Sequence, residues 1–238
     1  MKILDNLKIK IFGDGADIQT IKDLDSKNYI KGFTTNPSLI KKAGIKDYKK
    51  FAIDLLSQIK DKPISFEVFA DDEKNMERQA DEIASWGKNV YVKIPITNTK
   101  GESSQKLIKN LNAKGIKCNV TAVFTVNQAQ KIIDEVDDKT SVILSIFAGR
   151  IADSGLNPIP TINECIKKSQ DKKNIEILWA STREVFNIFQ ADEINCHIIT
   201  VPGDILKKFK YLGKDQLQFS QETVKDFYED AISAGYKI

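Results

Sequence analysis

Lys93 sits inside the strand-like run Asn89-Val90-Tyr91-Val92-Lys93-Ile94-Pro95. Side chains alternate along a strand, so Val90, Val92 and Ile94 share one face and Tyr91 and Lys93 the other. An amine aimed into an enclosed face loses water, which favours its neutral form and makes it a nucleophile for ketones. A lysine at a strand end can also snorkel its charge back to water, as most lysines do. What else shares the enclosed face decides between the two.

The same alternation places further polar residues. In Ile64-Ser65-Phe66-Glu67-Val68 the apolar residues share one face and leave Ser65 and Glu67 on the other. Asn119 and Thr121 fall opposite Cys118 and Val120, Ser145 opposite Leu144 and Ile146, and Ser181 opposite Leu178 and Ala180. Thr34 and Asn36 share a parity, and Asp14 closes the first candidate strand. If the apolar faces meet helices, all of these polar residues point inward. Burying Asp14, Asn36, Glu67, Lys93, Asn119 and Thr121 together is costly unless they bond one another or a ligand. Such a set reads as a functional centre.

An amine, two carboxylates and neutral donors suit imine chemistry on a carbonyl substrate. Lys93 would attack a ketone carbon, a carboxylic acid would help expel water, and the iminium would act as an electron sink for cleavage of a neighbouring C–C bond. Asp14 is placed to take the β-hydroxyl proton in that cleavage. Glu67 and Thr121 would hold the water exchanged at the imine step, and Asn36 and Asn119 would bond substrate hydroxyls. Arg150 follows Phe147-Ala148-Gly149, and Ser181-Thr182-Arg183 lies at a turn into a helix. Guanidinium forks, a hydroxyl and a free helix N-terminus together make a phosphate site. Surface ion pairs are the alternative for both arginines.

These positions need a scaffold that brings many strand ends together. Candidate strands run Ile9 to Asp14, Gly32 to Asn36, Ile64 to Phe69, Asn89 to Ile94, Lys117 to Thr121, Ser141 to Phe147, Ile175 to Ser181 and Cys196 to Val201. Amphipathic stretches lie between them. The clearest carries Tyr48, Phe51, Ala52, Leu55, Leu56 and Ile59 at helical spacing, and another carries Met76, Ala80, Ile83 and Ala84 behind the acidic start Asp71-Asp72-Glu73. Eight strands alternating with helices over 238 residues predict an α/β fold, a single-domain (β/α)8 TIM barrel spanning residues 1–238. An additional C-terminal helix is expected from Ser220 to Ala234, with Val224, Phe227, Tyr228, Ala231 and Ile232 on one stripe and Gly235 at its end. It would cover the barrel or dock on a neighbouring subunit.

Composition narrows the chemistry. Hydrophobic residues make up 41% and charged residues 29%, and no apolar run approaches bilayer length, so a soluble protein with no membrane partner is expected. The start Met1-Lys2-Ile3-Leu4-Asp5-Asn6 has no apolar signal core, which implies a cytoplasmic location. Cys118, Cys165 and Cys196 are widely spaced and His197 is the sole histidine, so neither a disulfide framework nor a metal site is expected. His197 lies in the apolar stretch Cys196 to Val201, where nothing nearby reads as a nucleophile that it could activate, and it reads as structural. The 36 basic residues are interspersed with 33 acidic ones, which argues against a nucleic-acid partner.

The motifs resemble those of the transaldolase family, particularly its small-subunit branch, over nearly the whole chain. They are Thr34-Thr35-Asn36-Pro37-Ser38-Leu39, Val92-Lys93-Ile94-Pro95, Asn119-Val120-Thr121, Ser145-Ile146-Phe147-Ala148-Gly149-Arg150 and Ala180-Ser181-Thr182-Arg183. The resemblance implies a class I mechanism: Lys93 as Schiff-base residue, Asp14 as base for the C4 hydroxyl, Glu67 and Thr121 on the catalytic water, and Arg150, Ser181 and Arg183 on the sugar phosphate. It implies transfer of a dihydroxyacetone unit from fructose 6-phosphate or sedoheptulose 7-phosphate to an aldose phosphate in the pentose phosphate pathway, with no cofactor. It also implies a homo-oligomer, of which the decamer is one form, assembled through the last helix. The related fructose-6-phosphate aldolases release free dihydroxyacetone and carry tyrosine and glutamine where this chain has Phe147 and Glu67. One departure from the family is Gly15, which follows Asp14 where threonine or serine is usual.

Overall fold

Each strand-like run pairs in parallel with the next in sequence, and the eighth returns to the first. The computed structural model describes residues 2–238. The strands are β1 (Lys10–Asp14), β2 (Ile30–Thr34), β3 (Ile64–Glu67), β4 (Val90–Pro95), β5 (Cys118–Val123), β6 (Val142–Ile146), β7 (Ile175–Trp179) and β8 (Ile198–Pro202). They close a barrel in the order β1 to β8, with helices outside: the α/β architecture expected from the alternation. No helix among the described residues is long and apolar enough to cross a membrane.

Apolar parity builds the outer layer. Ile64 and Phe66 of β3, Val90, Val92 and Ile94 of β4 and Val120 of β5 are buried against the helices. The helix Tyr48–Gln58 answers with buried Phe51, Ala52, Leu55 and Leu56. Each such large aliphatic or aromatic side chain contributes roughly 1.5–3 kcal/mol by leaving water.

The barrel interior has its own apolar plug. Phe12, Ile143, Leu178, Ala180 and Ile198 pack there, joined by Tyr91 and Phe147. Gly32 admits the Phe12 ring, because a Cβ at that position would lie 2.6 Å from it. The plug corrects one parity expectation. On β7, Leu178 and Ala180 are the interior residues, while Trp179 belongs to the outer core. Ser181 therefore does not reach the interior by strand alternation.

Several strands end earlier than expected. β2 stops at Thr34 because Asn36 caps the helix Pro37–Lys42, its Oδ1 accepting the Leu39 N–H at 3.0 Å, with Pro37 in the first turn. β3 stops at Glu67 because Gln79 Oε1 takes the N–H groups of Phe69 and Ala70. The last helix begins at Gln216 rather than Ser220, since Asp215 accepts the N–H groups of Leu217 and Gln218, and it runs to Ser233 with no buried residue.

Candidate active site

Register sets the site. Asp14 pairs with Thr34 across β1 and β2, Glu67 with Lys93 across β3 and β4, and Lys93 with Asn119 across β4 and β5. Parallel pairing thus sets the amine beside one carboxylate at the C-terminal ends of β3 and β4, and the Asp14 carboxylate faces them across the barrel mouth, near enough to feel both charges. A cavity of about 570 Å³ opens above them, walled among others by Asp14, Thr34, Asn36, Glu67, Lys93, Thr121 and Ser145.

Lys93 is 8% exposed. Its Nζ lies 3.3 Å from Glu67 Oε2 and donates to the Thr35 carbonyl at 3.3 Å. The flanking Val92 and Ile94 are fully buried, so the amine has no route back to solvent along the strand and faces the cavity.

Asp14 keeps a partly exposed edge, but its carboxyl lies deep in the barrel mouth. Burial pushes its pKa up from the usual carboxylate range, against the Lys93 charge and a Thr34 hydrogen bond that both pull it down. Thr34 Oγ1 donates to Asp14 Oδ1 at 2.8 Å and lies 2.5 Å from Thr200 Oγ1. With its own proton on Asp14, Thr34 must accept from Thr200. This chain of hydroxyls holds Asp14 although Gly15 brings none.

Thr121 Oγ1 is buried and makes no hydrogen bond among the described residues. It stands at an irregularity in β5, where the register shifts between Val120 and Val123 and Ala122 takes a left-handed backbone with φ of 59°. Both Thr121 and Ala122 line the cavity. An unpaired buried hydroxyl beside a strained backbone is a site for a hydrogen-bonding ligand.

Asn119 differs from expectation. Its Nδ2 donates to Ser65 Oγ at 2.9 Å and its Oδ1 accepts from Ser145 Oγ at 2.7 Å. It is fully buried and is not part of the cavity wall. With a bond at each end of its amide, Asn119 braces β3 and β6 behind the cavity wall. Asn36 does line the cavity, and its cap bond uses only Oδ1, leaving the amide NH2 available.

The far wall is basic. Phe147 begins the helix Ala148–Asp153, its ring 5.8 Å from that of Phe124 and 5.6 Å from the Arg150 guanidinium carbon. Ser181 reaches the cavity through a left-handed turn with φ of 63°, and Gly149 packs under it so closely that a Cβ would stand 1.6 Å from the Ser181 carbonyl oxygen. Arg183 forks onto Asp153, Nε donating to Oδ1 at 3.2 Å and Nη2 to Oδ2. The surface ion pair that is the alternative for both arginines is therefore present at Arg183. No free helix N-terminus follows Ser181: Asn187 Oδ1 takes the N–H groups of Arg183 and Glu184, and the helix starts at Phe186.

Sequence reasoning missed Thr200 and Thr182, which also wall the cavity, Thr182 Oγ1 donating to the Thr200 carbonyl at 2.7 Å. Thr200 had a signal in its parity with Ile198 and Pro202. His197 lies away from the cavity, its Nδ1 accepting the Ile177 N–H at 2.9 Å. Burial pushes the Cys118 and Cys196 thiols up to about 12 and that of Cys165 to about 11, so none is a ready nucleophile. Among the described residues no cluster of His, Cys, Asp or Glu could hold a metal ion.

Comparison with known proteins bears on this arrangement. A family model described as Transaldolase/Fructose-6-phosphate aldolase matches residues 11–237. A protein of Thermoanaerobacter sp. (strain X514), named "Probable transaldolase", is 35% identical over 231 residues, covering 97% of this chain and 100% of that protein. Another with the same name, from Clostridium acetobutylicum, is 38% identical over 202 residues, covering 84% of this chain and 89% of that protein. Among solved structures, that of KGPDC from Streptococcus mutans superposes with a TM-score of 0.56 at 14% identity, covering 85% of this chain and 91% of that one, a likeness of fold alone. With its model match spanning nearly all of the barrel, the chain belongs to the transaldolase/fructose-6-phosphate aldolase family.

Proposed function

We propose that the protein is a transaldolase working through an imine on Lys93, and that it moves a dihydroxyacetone unit from fructose 6-phosphate or sedoheptulose 7-phosphate to an aldose phosphate. The observation that carries this reading is the buried Lys93 amine, 3.3 Å from the Glu67 carboxylate at the floor of the cavity. Glu67 takes the proton that Lys93 must lose before attacking the ketose C2. The carbinolamine then loses water, held between Glu67 and the unpaired Thr121 hydroxyl, to give the iminium. Asp14 removes the C4 hydroxyl proton, the C3–C4 bond breaks, and its electron pair passes to the iminium nitrogen as an enamine. The aldose phosphate leaves. An acceptor aldehyde adds to the enamine carbon, the alkoxide regains the proton from Asp14, and hydrolysis frees Lys93.

Arg150, Ser181 and Arg183 serve the substrate phosphate, and Asn36 a sugar hydroxyl. Thr34 and Asn119 act by positioning, with Ser145 beside the reacting carbons. We place the activity in the pentose phosphate pathway, in the cytoplasm, with no cofactor, and in a homo-oligomer whose contacts use the exposed stripe of the last helix. The rival reading is a fructose-6-phosphate aldolase, which protonates and releases the enamine. Phe147 and Glu67 favour transfer, because the former lacks a hydroxyl that could deliver that proton.

Borohydride added with fructose 6-phosphate tests the imine. A single adduct on Lys93 by intact and peptide mass is expected. No adduct, or one elsewhere, would falsify the assignment. Product analysis with and without erythrose 4-phosphate separates the two readings, since free dihydroxyacetone formed without acceptor counts for the aldolase.

A further inference from the structure

Glu67 ends β3 with a backbone bond that a parallel ladder does not predict. β2 and β3 pair through Phe33 with Ile64 and Thr34 with Ser65, and Thr35 N–H continues the ladder to the Ser65 carbonyl at 3.1 Å. One further step would pair the Glu67 N–H with the Thr35 carbonyl. Instead the Glu67 N–H donates to the Tyr48 hydroxyl at 2.8 Å, and that hydroxyl lies 3.3 Å from the Glu67 carbonyl as donor. The Thr35 carbonyl, released from the ladder, accepts from Lys93 Nζ.

We infer that Tyr48 is a positioning residue for the imine step: its hydroxyl takes the Glu67 N–H away from Thr35, so that the Thr35 carbonyl and the Glu67 carboxylate both face the Lys93 amine. The inference deepens the reading above and rests on it. Tyr48 comes from the helix Tyr48–Gln58, outside the barrel, and reaches the gap between the two strand ends. Its ring is locked by Phe69 at 4.5 Å, Trp86 at 5.8 Å and Phe66 at 6.2 Å between centroids, so the hydroxyl has little freedom to leave. Burial drives the phenol well above the usual tyrosine range, which keeps it a neutral donor and acceptor.

Loss of the hydroxyl leaves the part-buried Glu67 N–H without a partner, and the nearest remedy is to close the ladder onto Thr35. That takes the carbonyl from Lys93 and shifts the carboxylate that receives its proton. Tyr48→Phe keeps the ring packing. The expected result is about a tenfold fall in the single-turnover rate of borohydride-trapped adduct formation, with KM for fructose 6-phosphate within about twofold. The pH dependence of that rate moves by about half a unit or more. A crystal structure of the variant shows a Glu67 N to Thr35 O hydrogen bond.

A Tyr48→Phe enzyme with lowered thermal stability but wild-type rate and pH dependence overturns the inference and leaves the imine reading intact. Wild-type protein that forms no Lys93 adduct overturns both. Should Tyr48→Phe not accumulate as folded protein, 3-fluorotyrosine in place of Tyr48 keeps the shape and weakens the oxygen as an acceptor; the same displacement in smaller measure supports the role, and a wild-type profile refutes it.

Discussion

Asp14 and Thr34 face each other in register on β1 and β2, and the Thr34 hydroxyl donates to Asp14 at 2.8 Å. Burial nevertheless outweighs this bond and the Lys93 charge, so the Asp14 carboxyl holds its proton to higher pH than a free aspartate. If Asp14 is the base for C–C cleavage, the acidic limb of kcat/KM lies above the usual aspartate value of about 3.9. Thr34→Val removes one of the lowering contacts and moves the limb further up. A pH–rate profile with its limb at or below the free carboxyl value would remove Asp14 from the role.

The same shift has a sign for stability. A carboxyl whose folded-state pKa exceeds its unfolded one binds its proton more tightly in the native protein. Unfolding free energy therefore falls as pH rises from the unfolded value through the folded one, and stays lower above it. Asp14→Asn is expected to melt at higher temperature than wild type at neutral pH, with the advantage lost in acid below the unfolded value, while activity drops sharply. Calorimetry across pH checks this, and equal melting of the two proteins at neutral pH contradicts the burial penalty at Asp14.

Much of this centre was legible because it follows from a period of two. Lys93 and Glu67 sit at the enclosed parity of short strands whose other faces are solidly apolar, and the barrel's sequential pairing then makes them neighbours. Ser181 shows where counting fails. The β7 interior is filled by Leu178 and Ala180, and Ser181 reaches the cavity only through a left-handed turn that its residue type does not announce. Strand parity puts Asn119 on the interior face, but its two bonds to Ser65 and Ser145 depend on neighbours far apart in sequence. By spacing alone Tyr48 is one more member of a helical apolar stripe; only the gap between β2 and β3 gives its hydroxyl a partner.

The two arginines differ in what already holds them. Arg183 is forked onto Asp153 with both side chains about half exposed, an ion pair worth little enough for a phosphate to displace. Arg183→Ala is expected to raise KM for phosphorylated substrates about tenfold and leave unphosphorylated acceptors unchanged, since the group binds far from the reacting carbons. Asp153→Asn acts in the opposite direction by releasing the fork. Equal losses for both substrate classes, or the same sign for both variants, would take Arg183 off the phosphate.

Gly149 tests the link between the two sides of the phosphate end. A methyl group there would overlap the Ser181 carbonyl oxygen at 1.6 Å, and that oxygen is backbone, so the helix Ala148–Asp153 or the Ser181 turn must move. Gly149→Ala is expected to cost about 2 kcal/mol or more of stability. In the folded fraction the displaced Arg150 and Ser181 weaken phosphorylated substrates. Unchanged KM and melting temperature would show that the close approach is not needed.

The last helix makes the final prediction. Leu217, Val224, Phe227, Tyr228 and Ile232 are all exposed, Phe227 to 68%, although Asp215 caps the helix and its apolar residues recur at helical spacing. An amphipathic helix gains most of its stability from packing its apolar face, and no surface of its own barrel supplies that here. A second copy of the chain supplies one if the protein is a homo-oligomer, and several copies bury the stripe only by repeating a single contact. Replacing Val224 and Phe227 by aspartate places charges in that contact without touching the cavity. Sedimentation should then move from an assembly to the monomer mass, with Lys93 still trapped by borohydride at the wild-type rate; wild-type protein that sediments as a monomer would end the case for assembly through this helix.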